Sequence, residues 1–423
     1  MRNNFLLLLL YLFVIFVFGI HSVYSFSELK IIANDGYPLD YFGDSVAICD
    51  NYAIIGAYGV DDSYNNRRGS AYIYKRDLDS WVYDAKLSPT DSNDDNNDKR
   101  SFGSSVFIDN NYAIVGDPGL SISGAVYIFA RYSKGWIQTA RLLPESSDDM
   151  EISSFGGSIF LYDQFLIVGA YYSEINNVQT GAAYVFRRRE PNDWYQVCEL
   201  TPTTIDVQFG RSVSLSENFA AVGVPSSEGI GCVYLFKTDS WASHQILVSD
   251  NNSSSFGKSV SIFENYLLVG DPSNSNSHLY EYRNNLWEKI HTFTGISNSQ
   301  FGRYVSICNN YAIIGAYREK LNESQIGTAY IYQNTNDAWQ LLNKTFSHDT
   351  FNSTINYGAR VFISNNFAIV GASEDNTNGE KSGAAFVYNY KNFQKPFTWD
   401  IDNNNKLGLA DIIYALQTMT ISK

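Results

Sequence analysis

A seven-fold repeat is the feature of this sequence that most limits what the chain can fold into. Each copy begins with an aromatic residue followed by glycine, and successive pairs lie 45 to 60 residues apart: Phe42-Gly43, Phe102-Gly103, Phe155-Gly156, Phe209-Gly210, Phe256-Gly257, Phe301-Gly302 and Tyr357-Gly358. A period in this range indicates supersecondary units that pack on one another, because a single unit cannot bury its own apolar face.

Each copy contains four short segments that are typical of β-strands. Strand one follows Phe-Gly, as in "SVAICD", and an Asn/Asp-rich turn leads to a nearly all-apolar strand two that ends in Gly, as in "YAIIGA". Strand three alternates aromatic residues ("GSAYIY"), and strand four carries a Trp such as Trp81. Apolar strands must be covered on both faces, so the sequence predicts an all-β, seven-bladed β-propeller over residues 26–390.

The last copy lacks a fourth strand of its own. Residues 29–35, "LKIIAND", align with the fourth strand of the first copy, "AKLSPTD" at 85–91. We therefore expect the N-terminal strand to complete the last blade, which closes the ring and removes an exposed sheet edge.

Residues 1–25 have the pattern of a secretory signal peptide. Arg2 precedes an apolar run over residues 5–20, and Val23 and Ser25 suit the positions before a cleavage site. The sequence thus predicts a secreted or cell-surface protein with no membrane insertion after cleavage. Retention by an uncleaved N-terminal anchor is the alternative.

The net charge and the cysteine content limit the classes of binding partner and the disulfide bonds that the chain can have. The net charge of −14 disfavours nucleic acid and anionic membranes as partners. Four cysteines are too few for a disulfide framework, and a Cys198–Cys232 bridge is left open. Glycosylation sequons, which matter in a glycosylating host, occur at Asn251, Asn252, Asn322, Asn343 and Asn352.

These motifs also carry a family resemblance. The Phe-Gly start, "VGDP" at 115–118 and 269–272, "VGVP" at 222–225 and the pattern G-x-x-Y-[IVL]-[FY] resemble the FG-GAP repeat of integrin α-subunit propellers and of bacterial secreted proteins. Integrin-like blades often hold Ca²⁺ in a loop between strands one and two, but that connection is a tight turn here, as in "IDNN" at 108–111. We therefore expect no Ca²⁺ in the blades, and a closer similarity to the bacterial short-turn type.

The composition changes after Tyr390, where a linker over 391–398 leads to a segment over 399–423. Its run "DIDNNNKLGLAD" resembles a dockerin-type or EF-hand-like Ca²⁺ loop, with ligands expected from Asp400, Asp402, Asn404, the carbonyl of Lys406, and Asp411. An Asn/Asp-rich turn that caps a terminal helix is the alternative. Dockerins carry two such loops and this chain carries one, which argues against a cohesin-type partner.

The sequence contains no recognisable catalytic motif. The four histidines after the signal segment fall at unrelated positions of the repeat, and the loops show no convergent His, Arg or Glu set. The run Arg187 to Arg189 is expected in a surface turn of a blade 3 hairpin, with an anion-binding patch as the alternative.

These observations favour a non-enzymatic binding or adhesion protein. We expect an extracellular protein or glycan ligand to be recognised by the variable loops between strands two and three, at 58–68, 171–180, 317–326 and 373–382, since loops on a rigid scaffold commonly carry recognition. Two alternatives stay open: an extracellular carbohydrate-active enzyme, a glycoside hydrolase or lyase, that uses channel carboxylates, and a purely structural envelope protein.

Overall fold

The structure is a computed structural model that describes residues 28–61, 67–90, 100–119, 124–145, 150–175, 178–190, 192–203, 208–226, 229–321, 324–347 and 355–392. The chain divides into a large unit, residues 28–388, and a small unit formed by residues 1–27 and 389–423. The described part of the small unit contains the short 3₁₀ helix Tyr390–Asn392. In the described ranges, no helix has the length and apolar character needed to span a bilayer.

The regular secondary structure described in the large unit is β-strand, apart from one short 3₁₀ helix in blade 5. The first strand is β1 (Glu28–Ile31). Blade 1 contains β2 (Ser45–Ile48), β3 (Tyr52–Ala57), β4 (Ser70–Asp77) and β5 (Ser80–Leu87). Blade 2 contains β6 (Ser105–Ile108), β7 (Tyr112–Asp117), β8 (Ala125–Tyr132) and β9 (Gly135–Leu142). Blade 3 adds the two-residue strands β10 (Met150–Glu151), β13 (Glu174–Ile175) and β14 (Val178–Gln179) to β11 (Phe155–Tyr162), β12 (Phe165–Ala170), β15 (Ala182–Glu190) and β16 (Asp193–Leu200).

The remaining four blades follow the same plan. Blade 4 contains β17 (Ser212–Leu215), β18 (Phe219–Val224), β19 (Cys232–Lys237) and β20 (Ser243–Val248). Blade 5 contains β21 (Val260–Phe263), β22 (Tyr266–Asp271), the 3₁₀ helix Pro272–Asn274, β23 (Asn276–Arg283) and β24 (Leu286–Thr294). Blade 6 contains β25 (Val305–Cys308), β26 (Tyr311–Ala316), β27 (Lys320–Leu321), β28 (Ser324–Gln325), β29 (Thr328–Thr335) and β30 (Ala338–Thr345). Blade 7 contains β31 (Arg360–Ile363), β32 (Ala368–Ala372) and β33 (Ala384–Tyr388), with β1 as its fourth strand.

The seven blades form a closed ring. Every blade is a four-stranded antiparallel sheet in which strand one lies at one edge and strand four at the other. The first strands contact one another in the order β2, β6, β11, β17, β21, β25 and β31, and β31 contacts β2. The predicted seven-bladed β-propeller is therefore confirmed, with the first strands around the central channel.

The N-terminal strand completes blade 7, as the repeat alignment predicts. Strand β1 pairs with β33 in antiparallel register, with Leu29 opposite Val387 and Ile31 opposite Ala385. Ile31 is 4% exposed and belongs to the apolar core shared with blade 1. Lys30 Nζ lies 2.9 Å from Asp375 Oδ2, so the first strand is tied to the last blade by charge as well as by the sheet.

Apolar side chains fill the space between blades. Strand two is buried along its whole length in blade 1, blade 2 and blade 4. The aromatic residue of each Phe-Gly pair packs edge-on against the aromatic residue of strand three in the same blade, as Phe42 does on Tyr72 with ring centroids 5.3 Å apart. Edge-on aromatic pairs add to the burial of apolar area, which accounts for the repeated Phe and Tyr positions.

The Trp of strand four joins neighbouring blades. Trp136 of blade 2 packs edge-on against Tyr52 of blade 1, with ring centroids 5.4 Å apart. Trp81 of blade 1 makes the same contact with Phe367 of blade 7, also at 5.4 Å. The Trp contact between blades 1 and 7 thus helps to close the ring on the outer side.

A glycine at the end of strand two lets the blades approach closely near the axis. A Cβ atom on Gly56 would lie 1.9 Å from the carbonyl oxygen of Gly103 in the next blade, which no side chain tolerates. The same oxygen accepts a hydrogen bond from Ser45 Oγ at 2.5 Å. This pairing of a serine and a glycine with the Phe-Gly carbonyl recurs in blades 2 to 5, so the contact is a repeated element of the ring.

The four cysteines form no disulfide. Cys198 lies on β16 in blade 3 and Cys232 on β19 in blade 4, so the bridge left open by the sequence is not made. Of the sequon asparagines, Asn252 is exposed and Asn343 is partly buried in β30.

Candidate functional site

The residue that follows each Phe-Gly pair lies at one end of the central channel, immediately before strand one. The glycine of every pair has a positive φ, between 81° and 94°, which turns the chain in the same way in all seven blades. Blades 1 to 7 carry at the next position Asp44, Ser104, Gly157, Arg211, Lys258, Arg303 and Ala359. The residue type at this position differs strongly between blades, although the sequence around it repeats. It is also a position that the seven blades place at the same end of the channel.

A cavity of about 510 Å³ occupies this mouth of the channel. Asp44, Arg211 and Lys258 line it, together with the small residues of blades 2 and 3 at the same position. Blades 6 and 7 depart from the repeat once more, because Tyr304 and Arg360 stand where blades 1 to 5 have the serine that bonds to the next blade. The regular scaffold is thus interrupted in several blades around one cavity.

Aromatic side chains position two of the basic groups. The guanidinium of Arg211 lies 4.3 Å from the centre of the Tyr171 ring, and that of Arg360 lies 4.0 Å from the centre of the Tyr304 ring. Such cation–π contacts limit the rotamers of a long side chain and leave the edge of the guanidinium available for hydrogen bonds.

The mouth carries more positive than negative charge. Arg360 Nη2 lies 3.5 Å from Asp44 Oδ2, so these two charges compensate one another. Within the described residues, no carboxylate lies within 4.0 Å of the charged ends of Arg211, Lys258 and Arg303. Three cations therefore share this end of the channel without a carboxylate partner, in a protein whose net charge is −14.

The pKa values respond to this crowding. Burial, together with the smaller effect of the neighbouring Arg211, Arg303 and Arg360 charges, lowers the pKa of Lys258 to about 7. Burial also lowers the pKa of Arg303. Burial raises the pKa of the Asp44 carboxyl, against the opposing effect of the Arg360, Arg303 and Arg211 charges. The environment disfavours positive charge at Lys258, so an arriving anion would restore it.

The opposite mouth has a different chemistry. Its cavity of about 710 Å³ is lined by acidic residues of the turns between strands one and two, such as Asp50, Asp109, Glu217 and Glu264. Cys49 and Cys308 lie at this end as well. Among the residues that the structure describes, no group of three His, Cys, Asp or Glu side chains is placed to hold a metal ion.

Two of the four predicted recognition loops reach the basic mouth. Loop 58–68 contributes Tyr58, and loop 171–180 contributes Tyr171 and Tyr172 to the cavity. Loop 373–382 instead packs on the N-terminal segment, where Asn378 Nδ2 donates to the carbonyl of Ala33 at 2.9 Å. In loop 317–326, the buried Glu319 accepts hydrogen bonds from Thr328 and Tyr330 within its own blade.

The Arg187 to Arg189 run lies in a hairpin of blade 3, as expected, but in its first strand and not in its turn, so the expected surface turn is wrong. All three residues lie within strand β15. Their guanidinium groups lie over aromatic rings: Arg187 over Phe165 at 5.4 Å, Arg188 over Tyr112 at 4.4 Å and Arg189 over Tyr195 at 3.9 Å from each ring centre. The strand places successive residues on alternate faces, so the three charges do not form one patch.

The basic mouth itself is what sequence reasoning missed. The expectation of no convergent set considered the loops, whereas Arg211, Lys258 and Arg303 lie at the start of the inner strands. The signal was present in the sequence as a change of charge at one fixed position of the repeat. The predicted Ca²⁺ ligands, Asp400, Asp402, Asn404, Lys406 and Asp411, lie outside the described residues.

Comparison with known proteins gives the family. A family model described as FG-GAP repeat matches residues 26–74, 81–129, 136–186, 288–332 and 351–388, which together are more than half of the chain. The chain belongs to the FG-GAP repeat family. No curated protein matches it.

The FG-GAP matches are offset by one strand from the blades. The match over 26–74 begins at β1, the fourth strand of blade 7, and ends in β4, the third strand of blade 1. An FG-GAP unit therefore bridges two blades, and the ring must be closed by pairing the first strand with the last blade. The family model does not match residues 187–287, whose described part forms regular blade strands and includes Arg211 and Lys258.

Solved structures support the fold of this FG-GAP protein. One of them, described as "Crystal Structure of Mitotic Checkpoint Complex", superposes with a TM-score of 0.55 at 12% sequence identity. The similarity covers 85% of this chain and 93% of the other. At this identity, the match shows a shared fold.

Proposed function

We propose that this FG-GAP propeller is a secreted or cell-surface binding protein that recognises an extracellular glycan or protein at the basic mouth of its channel. The observation that carries the proposal is the cavity of about 510 Å³, whose lining breaks the repeat with Arg211, Lys258 and Arg360. Binding sites are concave and combine apolar or aromatic walls with a few placed polar groups, and this cavity has that composition.

Secretion rests on the N-terminal sequence pattern, with the uncleaved anchor as its alternative. A role for Ca²⁺ rests on the loop from Asp400 to Asp411. Both belong to the proposal and are open to direct measurement: the N-terminus of the mature protein, and calcium titration of the wild type and loop variants.

Three equally exposed tyrosines allow the binding face to be mapped. Tyr172 lies at the basic mouth, Tyr162 at the acidic mouth, and Tyr132 on β8 near the outside of blade 2. Their exposures are 43%, 42% and 42%, so replacement by Ala removes a comparable surface in each case.

The experiment screens the wild type against arrays of extracellular glycans and surface proteins and repeats the hits with the three variants. We expect Tyr172→Ala to reduce binding by at least ~10-fold, as a side chain at the centre of an interface does. Tyr162→Ala and Tyr132→Ala should bind like the wild type. Loss of binding in Tyr162→Ala or Tyr132→Ala with none in Tyr172→Ala would move the site to another face, and an absence of hits would refute the proposal.

The carbohydrate-active enzyme needs two carboxyl groups on either side of a scissile bond. Of the described residues that line the basic mouth, Asp44 carries a carboxylate and Arg360 pairs with it. No observation at this cavity therefore favours the enzymatic alternative over binding.

A further inference from the structure

We propose that the basic mouth binds an acidic sugar unit, and that Arg211 and Lys258, which line the cavity, hold its carboxylate or sulfate group, while the charge of the neighbouring Arg303 attracts it from behind the cavity wall. The inference rests on the proposed function and names the chemical class of its ligand.

The seven blades act as internal controls for the structural role of these charges. Blade 2 has Ser104 and blade 3 has Gly157 at the position of Arg211, Lys258 and Arg303, yet all of these blades have the same four-stranded sheet. The fold therefore does not require a cation at this position. Three neighbouring cations also repel one another, so packing alone gives no reason for their presence in blades 4, 5 and 6.

The charge at the mouth is suited to one compact anion. Asp44 forms an ion pair with Arg360 and attracts Arg303 and Arg211 from a longer distance, but no described carboxylate lies within 4.0 Å of the charged ends of Arg211, Lys258 and Arg303. A planar guanidinium binds carboxylate and sulfate groups through two parallel hydrogen bonds, and the stacking of Arg211 on Tyr171 fixes the plane of one such group in advance. Because the protein as a whole is strongly negative, a long polyanion is repelled while a single acidic unit can enter.

The walls of the cavity favour a sugar over an acidic peptide. Tyr172 is 43% exposed and lies against Tyr171, with ring centroids 4.5 Å apart. An exposed aromatic ring beside a charged group offers an apolar surface for the C–H face of a pyranose ring, while the basic groups bind its acidic substituent. The volume of about 510 Å³ is in the range of small-ligand sites and suits a saccharide of a few units.

Lys258 adds a dependence on pH. The groups that act on it are Arg211 of blade 4, Arg303 of blade 6 and Arg360 of blade 7, while Asp44 of blade 1 faces Arg360. The pKa of Lys258 is about 7, so in the unliganded site its side chain is partly neutral near that pH. A bound anion stabilises the ammonium form, and binding above pH 7 is therefore accompanied by proton uptake.

The experiment uses isothermal titration calorimetry on the full chain with defined probes: a uronic acid disaccharide, a sulfated disaccharide, the neutral disaccharide and an acidic peptide. Titrations at about pH 8 in two buffers of different ionisation enthalpy measure the number of protons taken up. The variants are Arg211→Gln, Lys258→Gln and Arg303→Gln. Lys75→Gln, at an exposed position of β4, is the matched control.

We expect an acidic disaccharide to bind at least ~10-fold more tightly than the neutral one. Arg211→Gln and Lys258→Gln should each lose at least ~10-fold in affinity, Arg303→Gln, which removes a charge outside the cavity lining, should lose less, and Lys75→Gln should lose nothing. Proton uptake should vanish in Lys258→Gln and persist in Lys75→Gln. The uronic and sulfated probes separate the two sources of the anion, since either one supports the proposal.

Several outcomes would overturn the proposal of an acidic sugar ligand. Equal affinity for neutral and acidic disaccharides, unchanged affinity in all three site variants, or tighter binding of the acidic peptide than of either acidic sugar would each do so. If array ligands depend on Tyr172 but not on the three basic residues, the proposed function stands and the acidic sugar is wrong. If the acidic disaccharides bind but no array ligand does, the proposed function fails and the anion site stands.

Discussion

Replacement of Lys258 by Met tests the central electrostatic claim, because it should make the protein more stable. Folding lowers the pKa of this lysine from the 10.5 of an exposed group to about 7. At about 1.4 kcal/mol for each pKa unit, the full difference corresponds to ~5 kcal/mol. Since part of the side chain remains in contact with solvent, we reduce this to ~2 kcal/mol.

The destabilisation of the folded protein by Lys258 depends on pH. Below pH 7, Lys258 is charged in the folded and the unfolded protein, so the full destabilisation applies. Between pH 7 and 10.5 the unfolded chain binds more protons than the folded one, and the stability of the wild type rises with pH relative to the variant. Above 10.5 the lysine is neutral in both states and the effect is gone.

The assay is chemical unfolding of the wild type, Lys258→Met and Lys75→Met at about pH 6 and about pH 10. We expect Lys258→Met to be ~2 kcal/mol more stable than the wild type at the lower pH and nearly equal to it at the higher pH. Lys75→Met, at an exposed position of β4, should change the free energy of unfolding by less than ~0.5 kcal/mol at both pH values. A destabilised Lys258→Met, or a difference that does not change with pH, would refute the reasoning.

Three further changes test the ring, its closure and the C-terminal loop. Gly223→Ala places a Cβ 2.1 Å from a carbonyl oxygen of the next blade, so we expect a loss of ~3 kcal/mol or more in unfolding free energy. In the control Gly229→Ala, the new Cβ meets a movable serine hydroxyl, and the loss should be under ~1 kcal/mol. Equal losses in the two variants would contradict the close approach of the blades. Ile31 is 4% exposed in the closing strand and Ile246 is 40% exposed, so in urea unfolding Ile31→Ala should lose ~3 kcal/mol of unfolding free energy and Ile246→Ala under ~1 kcal/mol. A small loss in Ile31→Ala would mean that ring closure contributes little to stability. Asp400→Asn should weaken Ca²⁺ binding in calorimetry by at least ~10-fold, and a wild type that does not bind Ca²⁺ would refute the loop.

The fold could be predicted from the sequence because the length, the strand pattern and the number of the repeats together indicate one architecture. Seven Phe-Gly copies, each with an apolar strand two, leave a ring of blades as the arrangement that covers every apolar face. The alignment of residues 29–35 with 85–91 was enough to place β1 in blade 7, since an incomplete sheet has an edge that needs a partner.

The site could not be predicted in the same way, because it is assembled from one residue per blade. Arg211, Lys258 and Arg303 are about 45 residues apart in sequence, and only the common positive φ of the preceding glycines directs them to one mouth. The contiguous run at Arg187 was expected in a surface turn, with an anion-binding patch as the alternative, but it lies in a strand that directs neighbouring residues to opposite faces. Comparison of charge at each fixed position of the repeat would have found the mouth.

The pairing of β1 with β33 has a consequence for how the protein is made. Lys30 and Asp375 are 345 positions apart, and the partner of the first strand is among the last parts of the propeller to be synthesised. Until then the first strand has no sheet to join, and the six finished blades form an open arc with two unprotected flanks. Long-range pairing of this kind is slow, because the chain must close a large loop before the contact is gained. Ring closure is therefore the step at which folding competes with aggregation, and a nascent chain that stops before residue 384 cannot complete it.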